Sequence, residues 1–193
     1  GITMQTQALS TRGLSAIAGL NISNTLNNVV NTFFLTMGIA ISIVIGQLIG
    51  AGKLKEAKET DTKMITFSLM ISLGVSALLL IAAPLFPRIY NTTGEIRYLA
   101  TRFILVYVLA TPFNAFTNAA YFTLRSGGKT VMTFIFDSGF IWAVNVPVAM
   151  LLAHFTNLPI VWMFFIISML DAIKSVVGFI LVKKGDWLNI IVE

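Results

Sequence analysis

From Leu14 to Ile49 the chain carries not one Asp, Glu, Lys or Arg. As a helix rising 1.5 Å per residue, that run would be about 54 Å long, well beyond the roughly 20 residues that cross a bilayer, so its first half must project or tilt. Only hydrocarbon or the interior of a very large protein can surround such a run. Of the 193 residues 56% are hydrophobic and 11% charged, against roughly 25% charged in a soluble domain, which decides for the bilayer. Further apolar runs span about 64–84, 96–124, 131–153 and 158–182. Backbone polar groups in lipid must be satisfied within the segment, so the expected fold is all-α, a polytopic transmembrane bundle of five helices.

The punctuation between these runs is specific. The long run ends in Gly46-Gln47-Leu48-Ile49-Gly50-Ala51-Gly52, and Lys53-Leu54-Lys55-Glu56-Ala57-Lys58-Glu59 follows at once. Glycine supplies the permissive backbone that closes a helix. Gly46 and Gly50 also form a small-xxx-small pair, expected to let another helix approach closely. A second turn of the same type, Leu124-Arg125-Ser126-Gly127-Gly128-Lys129-Thr130, lies two spans downstream, and the tail reads Lys183-Lys184-Gly185-Asp186-Trp187.

Taken in order, these three motifs resemble the C-terminal lobe of the multidrug and toxic compound extrusion (MATE) family of secondary transporters. In that family a glycine-alanine-glycine turn follows one helix of a six-helix lobe, and an Arg-x-Gly-Gly-type turn sits two helices later. The resemblance implies that residues 1–193 are a partial lobe, with the N-terminal lobe and the first helix of this lobe absent. Gly1 to Arg12 is accordingly assigned no span and read as the far end of a helix whose body is missing. The start, Gly1-Ile2-Thr3-Met4, lacks the basic-then-apolar design of a signal peptide and reads as a fragment or truncated product.

Charge supports a membrane topology. The formal net charge is +5, but the basic residues occupy short loops between apolar runs, so no nucleic-acid partner is expected. One side carries Lys53, Lys55, Lys58, Lys63, Arg125, Lys129, Lys183 and Lys184, and the other Arg12, Arg88, Arg97 and Arg102. Eight against four places the Gly50 loop, the Gly127 loop and the C-terminus in the cytoplasm of a multi-pass cell-membrane protein, with Thr92 outside. Arg102 is expected to snorkel to the interface. Asn91-Thr92-Thr93, which fits a glycosylation sequon, reads as the turn that starts the next helix.

With no cysteine and a single histidine, His154, the chain has no disulfide framework, Cys/His metal site or thiol nucleophile. No cofactor or metal is expected, and no enzymatic activity, since no His is paired within a span. Gly127-Gly128-Lys129-Thr130 fails the phosphate-loop spacing at its first glycine.

Polar residues at membrane depth are therefore the candidates, because lipid cannot satisfy them. Asn21, Asn24, Asn28 and Asn31 are spaced 3, 4 and 3, and Thr111, Asn114, Asn118, Tyr121 and Arg125 are spaced 3, 4, 3 and 4. Each set shares a helical face expected to meet another helix or a watery cavity; Ile104 is taken as a lipid-facing contrast. Pro112 invites a kink. Asp137 lies roughly 10 Å beyond the Gly127-Gly128 turn, and Asn145, eight residues on, is placed on the same face. As a single carboxylate in an apolar span, Asp137 is the candidate for exchanging a proton or holding sodium, with anchoring of the nearby turn as the structural alternative. Asp171 and Lys174, three apart, are expected to neutralise each other as an intramembrane ion pair.

The resemblance implies export of organic cations, often hydrophobic drugs, by antiport against sodium or protons, with two lobes alternating access to a central cavity. In part of the family a membrane-embedded carboxylate sits eleven residues before the arginine of the second turn; the matching residue here is Asn114. A neutral amide neither gives up a proton nor offers full charge to sodium, which leaves Asp137 or the missing lobe to carry the coupling group. Two other readings stay open: a transporter resembling lipid-linked oligosaccharide flippases, and an oligomeric channel or structural membrane subunit whose stripes enclose a pore.

Overall fold

The computed structural model describes residues 2–11, 13–185 and 187–188, so Arg12 and Asp186 lie outside the described residues. The chain folds into helices α1 (Ile2–Ser10), α2 (Leu14–Gly50), α3 (Leu54–Leu85), α4 (Gly94–Ser126), α5 (Thr130–Phe155) and α6 (Ile160–Lys184). Five of these, α2 to α6, are long and apolar enough to cross a membrane. Within the N-terminal stretch given no span from sequence, Ile2–Ser10 forms α1, whose Ala8 and Leu9 are buried against the main bundle. Its polar composition conceals a two-residue apolar face that needs no length to dock.

Helix α3 starts ten residues before the expected span, at Leu54 and not at Met64. Residues Lys53 to Lys63 read as a loop because they are charged. Yet Lys, Glu and Ala favour helix strongly, and the turn reduces to Ala51–Lys53. Gly52 at φ +74° and Gly128 at φ +71° provide the left-handed backbone these two short turns require. At the opposite end Thr93 caps α4, its hydroxyl accepting from the amide of Ile96.

Helix α4 is the centre, packed against α2, α3 and α6. Its buried Ala100, Ala110, Ala115, Ala119 and Ala120 allow close approach. Ile104, taken as lipid-facing, is 1% exposed; a helix surrounded by three others has little lipid face to give. Gly46 and Gly50 meet no neighbour: a Cβ there would find nothing within 4 Å among the described residues. The close contacts on α2 fall elsewhere, at Gly38 against the ring of Phe122 and at Gly19, where an added Cβ would lie 3.0 Å from Leu99 Cβ. Small-xxx-small spacing is a property of many apolar helices, and only packing selects which glycine is used.

Two apolar clusters close the bundle. At the Thr93 end, Phe103, Phe164, Met163 and Leu20 pack with Ala8 and Leu9. At the Gly52 end, Ile41, Ile45, Ile49, Ala57, Leu124, Phe136 and Trp187 form the second. The polar residues of α2, α4, α5 and α6 lie between them.

Candidate functional site

The α4 stripe is held by its own chemistry before it meets anything else. Asn118 Nδ2 donates to the Asn114 carbonyl at 3.0 Å and to Asn114 Oδ1 at 2.7 Å, one helical turn away. One turn before Thr111, the Tyr107 hydroxyl donates to Asn24 Oδ1 of α2 at 2.6 Å. Tyr107 extends the stripe by the same spacing of four, so it was legible in the sequence and was passed over. On the α6 side, Thr117 and Ser175 hydroxyls lie 3.0 Å apart, and Ser175 also donates to the Phe113 carbonyl.

Beyond this seam opens a cleft of about 660 Å³ between α1, α2, α4, α5 and α6. Asn114, Asn118, Tyr121 and Arg125 line it from α4, Asn31 from α2, Gln5 from α1, Asp137 and Asn145 from α5, and Asp171 and Lys174 from α6. A neighbouring space of about 40 Å³ shares Asn31, Asn114 and Asp171 with it and adds Tyr107 and Thr111. The structure thus brings Asn114, Asn118, Tyr121, Asp137 and Asn145 into one cavity, together with Gln5, which no spacing signal marked.

The α2 stripe divides. Asn24 binds Tyr107 and Asn31 lines the cleft, whereas Asn21 and Asn28 are exposed on this chain and do not line it. At about 100° per residue, Asn24 and Asn31 lie near one azimuth and Asn21 and Asn28 roughly 60° away, so a stripe of four amides is too wide for a single neighbour.

The ion pair is also redistributed. Lys174 Nζ lies 2.6 Å from Asp137 Oδ1, and not against Asp171. Asp137 sits in a widened π turn, Ile135–Gly139, followed by another at Ile141–Asn145; such turns swing side chains off the regular α-helical face and recur at functional sites. Lys174 gains there both a carboxylate and the face of the Phe136 ring, 5.3 Å from its centroid. Among the described residues Asp137 is thus paired with Lys174 and makes no hydrogen bond to the Gly128 turn. Asp171 makes no ion pair among the described residues, though it lies near enough to Lys174 and Asp137 to feel both charges.

Two features stand apart from the cleft. Asp61 of α3, 1% exposed, accepts a 2.6 Å hydrogen bond from Thr123 of α4. A space of about 1090 Å³ along α5 and α6 is lined almost wholly by apolar residues such as Val131, Ile135, Phe140 and Leu181; it offers shape but no chemistry. Arg102 rests over the Tyr98 ring at 5.1 Å.

The MatE family model matches residues 3–151. The "Probable multidrug resistance protein YoeA" of Bacillus subtilis is 28% identical over 154 residues, covering 78% of this chain and 33% of that protein. The "Probable multidrug resistance protein NorM" of Oceanobacillus iheyensis is 27% identical over 124 residues, or 64% of this chain and 28% of that one. Human "Multidrug and toxin extrusion protein 1" is 23% identical over 145 residues, 74% of this chain and 25% of its own length. Among solved structures, a MOP superfamily transporter from Pyrococcus furiosus superposes with a TM-score of 0.86 at 17% identity, over 95% of this chain and 41% of that one. The matched regions span a third or less of the length of these curated relatives.

Proposed function

The chain belongs to the MatE family, and from that premise we propose that it is one lobe's share of a secondary-active multidrug exporter, expelling organic cations in exchange for sodium or protons. The single observation that carries this reading is the cleft: about 660 Å³ of amides, hydroxyls and charges held open inside an otherwise apolar bundle. Transporter sites of this kind lie at the interface between repeated lobes, and the exposed Asn21, Asn28, Leu35 and Ile39 of α2 give an N-terminal lobe a mixed polar and apolar face to close against. The names of the relatives and the fraction of their length that the chain covers support the same view.

On this reading the amide at Asn114 leaves coupling to the acidic side chains that do face the cleft, Asp137 and Asp171, or to the other lobe. The lysine-rich turns at Gly52 and Gly128 and the C-terminus lie in the cytoplasm, from the Lys/Arg asymmetry.

The test is transport. The complete reading frame, reconstituted in liposomes, is expected to move a fluorescent organic cation when a sodium or proton gradient is imposed, and residues 1–193 alone are not. Gradient-driven transport by residues 1–193 alone refutes the half-transporter reading, and gradient-independent leak through the complete protein refutes antiport.

A further inference from the structure

An ammonium group buried at membrane depth persists only when it is paired, and it then occupies space near carboxylates that a free cation would take. Lys174 is 7% exposed and is the only lysine lining the cleft. Its partner Asp137 keeps a side chain 44% exposed toward the cleft. Asp171 lies three residues before Lys174 on the same helix, at the edge shared by the cleft and the small space beside Asn114. Two carboxylates, Asp137 and Asp171, and two basic side chains, Lys174 and Arg125, line the cleft, and of the two bases only Lys174 is buried. Arg125 lies eleven residues beyond Asn114, roughly 16 Å along α4, and is exposed.

A second observation points to a ligand. Asn145 is 8% exposed, lines the cleft, and its Oδ1 accepts no hydrogen bond among the described residues. A buried amide oxygen without a donor is costly, and an N–H carried into the cleft would satisfy it.

We propose that Lys174 is a tethered cation that sets the affinity of the cleft for organic ammonium ions: Asp171 is the carboxylate open to the ligand's charge, while Asp137 holds the lysine away from it. The inference rests on the organic-cation reading above and adds the residue that tunes it. The flexible four-carbon stem of Lys174 lets the same ammonium reach the neighbouring carboxylate if its present partner is lost. Asp137 then acts through Lys174 and not by touching the ligand.

The test uses the full-length transporter in nanodiscs and the fluorescent primary ammonium dansylcadaverine, read by anisotropy. Lys174→Met leaves both carboxylates to the ligand and tightens binding about tenfold, the size of one well-placed charge pair. Asp137→Asn releases Lys174 onto Asp171 and weakens binding by a similar ~10-fold factor. Asp171→Asn, which leaves the Asp137–Lys174 pair intact, weakens it as well. The decisive variant is Asp137→Asn combined with Lys174→Met: one carboxylate and no competitor restore binding to within about threefold of the unaltered protein. If the double variant stays as weak as Asp137→Asn alone, Asp137 contacts the ligand directly and the tether is wrong. Unchanged affinity in Lys174→Met, or in Lys174→Gln where the Met variant does not fold, overturns it equally. Binding by the unaltered protein with either failure leaves the organic-cation reading standing; absence of binding in every variant removes both.

Discussion

Replacing Gly127 by Ala should unlatch the C-terminal tail. At φ −81° Gly127 has an ordinary backbone that alanine adopts without strain. A Cβ there, however, would collide with the Trp187 carbonyl and lie 2.9 Å from Trp187 Cα, both backbone atoms that cannot rotate aside. Trp187 must therefore move. It is 1% exposed, packs in the Gly52-end cluster and donates its indole N–H to the Val182 carbonyl at 3.0 Å. A tryptophan buries 150–250 Å², so losing about half is ~100 Å², or about 2.5 kcal/mol at 25 cal/mol per Å². The lost hydrogen bond adds about 1 kcal/mol, and together they lower the melting midpoint of a protein this size by about 7–14 °C.

Gly128 gives the contrast. Its φ of +71° means that alanine there is strained whatever the space, at a cost of roughly 1–2 kcal/mol. Gly50→Ala, where a Cβ meets nothing within 4 Å, is the control and should be neutral or slightly stabilising. Thermal melts of the detergent-solubilised full-length protein should rank Gly127→Ala lowest, Gly128→Ala next and Gly50→Ala highest. Trp187→Ala should then cost nothing further in the Gly127→Ala background, because the tail has already left. A Gly127→Ala melt at or above that of Gly128→Ala, or additive losses in the double variant, would refute the latch.

Thr123→Val should destabilise by about 1.5–3 kcal/mol, because the buried Asp61 carboxylate loses a charge-assisted donor, while Thr123→Ser should cost well under 1 kcal/mol; equal melts for the two would remove the hydrogen bond from the account. Single cysteines at Lys55 and Thr92, challenged with an impermeant maleimide in intact cells, should label at 92 and not at 55, following the Lys/Arg asymmetry; the reverse pattern inverts the topology.

What the sequence made legible was what periodicity and charge determine locally. Apolar runs and glycine punctuation mark the five long helices, and of the 3, 4, 3, 4 stripe on α4, Asn114, Asn118, Tyr121 and Arg125 line the cleft while Thr111 lines the small space beside it. The misreadings come from information that lies between helices. Asp171 and Lys174 are neighbours by helical arithmetic, but the pairing was decided by α5, thirty-seven residues away in sequence, whose π turns no hydrophobic pattern announces. Gly46 and Gly38 look alike in the chain, and only the position of Phe122 separates them. Leu54 to Lys63 is charged and helical at once, and polarity alone cannot tell an exposed helix from a loop.

The polar groups of the bundle sort by whether the chain itself satisfies them. Tyr107 with Asn24, Asn118 with Asn114, Thr117 with Ser175 and Thr123 with Asp61 close their bonds internally, and three of these four tie α4 to α2, α6 or α3. In a medium where apolar contact gives helices little reason to associate, such bonds and close packing hold the bundle together, each typically contributing under about 2 kcal/mol. Among the described residues Asn145 Oδ1 and the Asp171 carboxylate find no such partner and face the cleft, whereas the other buried unpartnered atoms, Ser76 Oγ, Thr92 Oγ1 and Arg97 Nε, lie away from it. A stability screen and a binding screen should therefore separate: substitutions in the first group lower the melting midpoint, whereas Asn145→Leu and Asp171→Asn leave it nearly unchanged, or raise it by removing a buried group without a partner, and lose ligand. On the proposed reading, the cleft groups that contribute least to holding the fold together are the ones a ligand would meet.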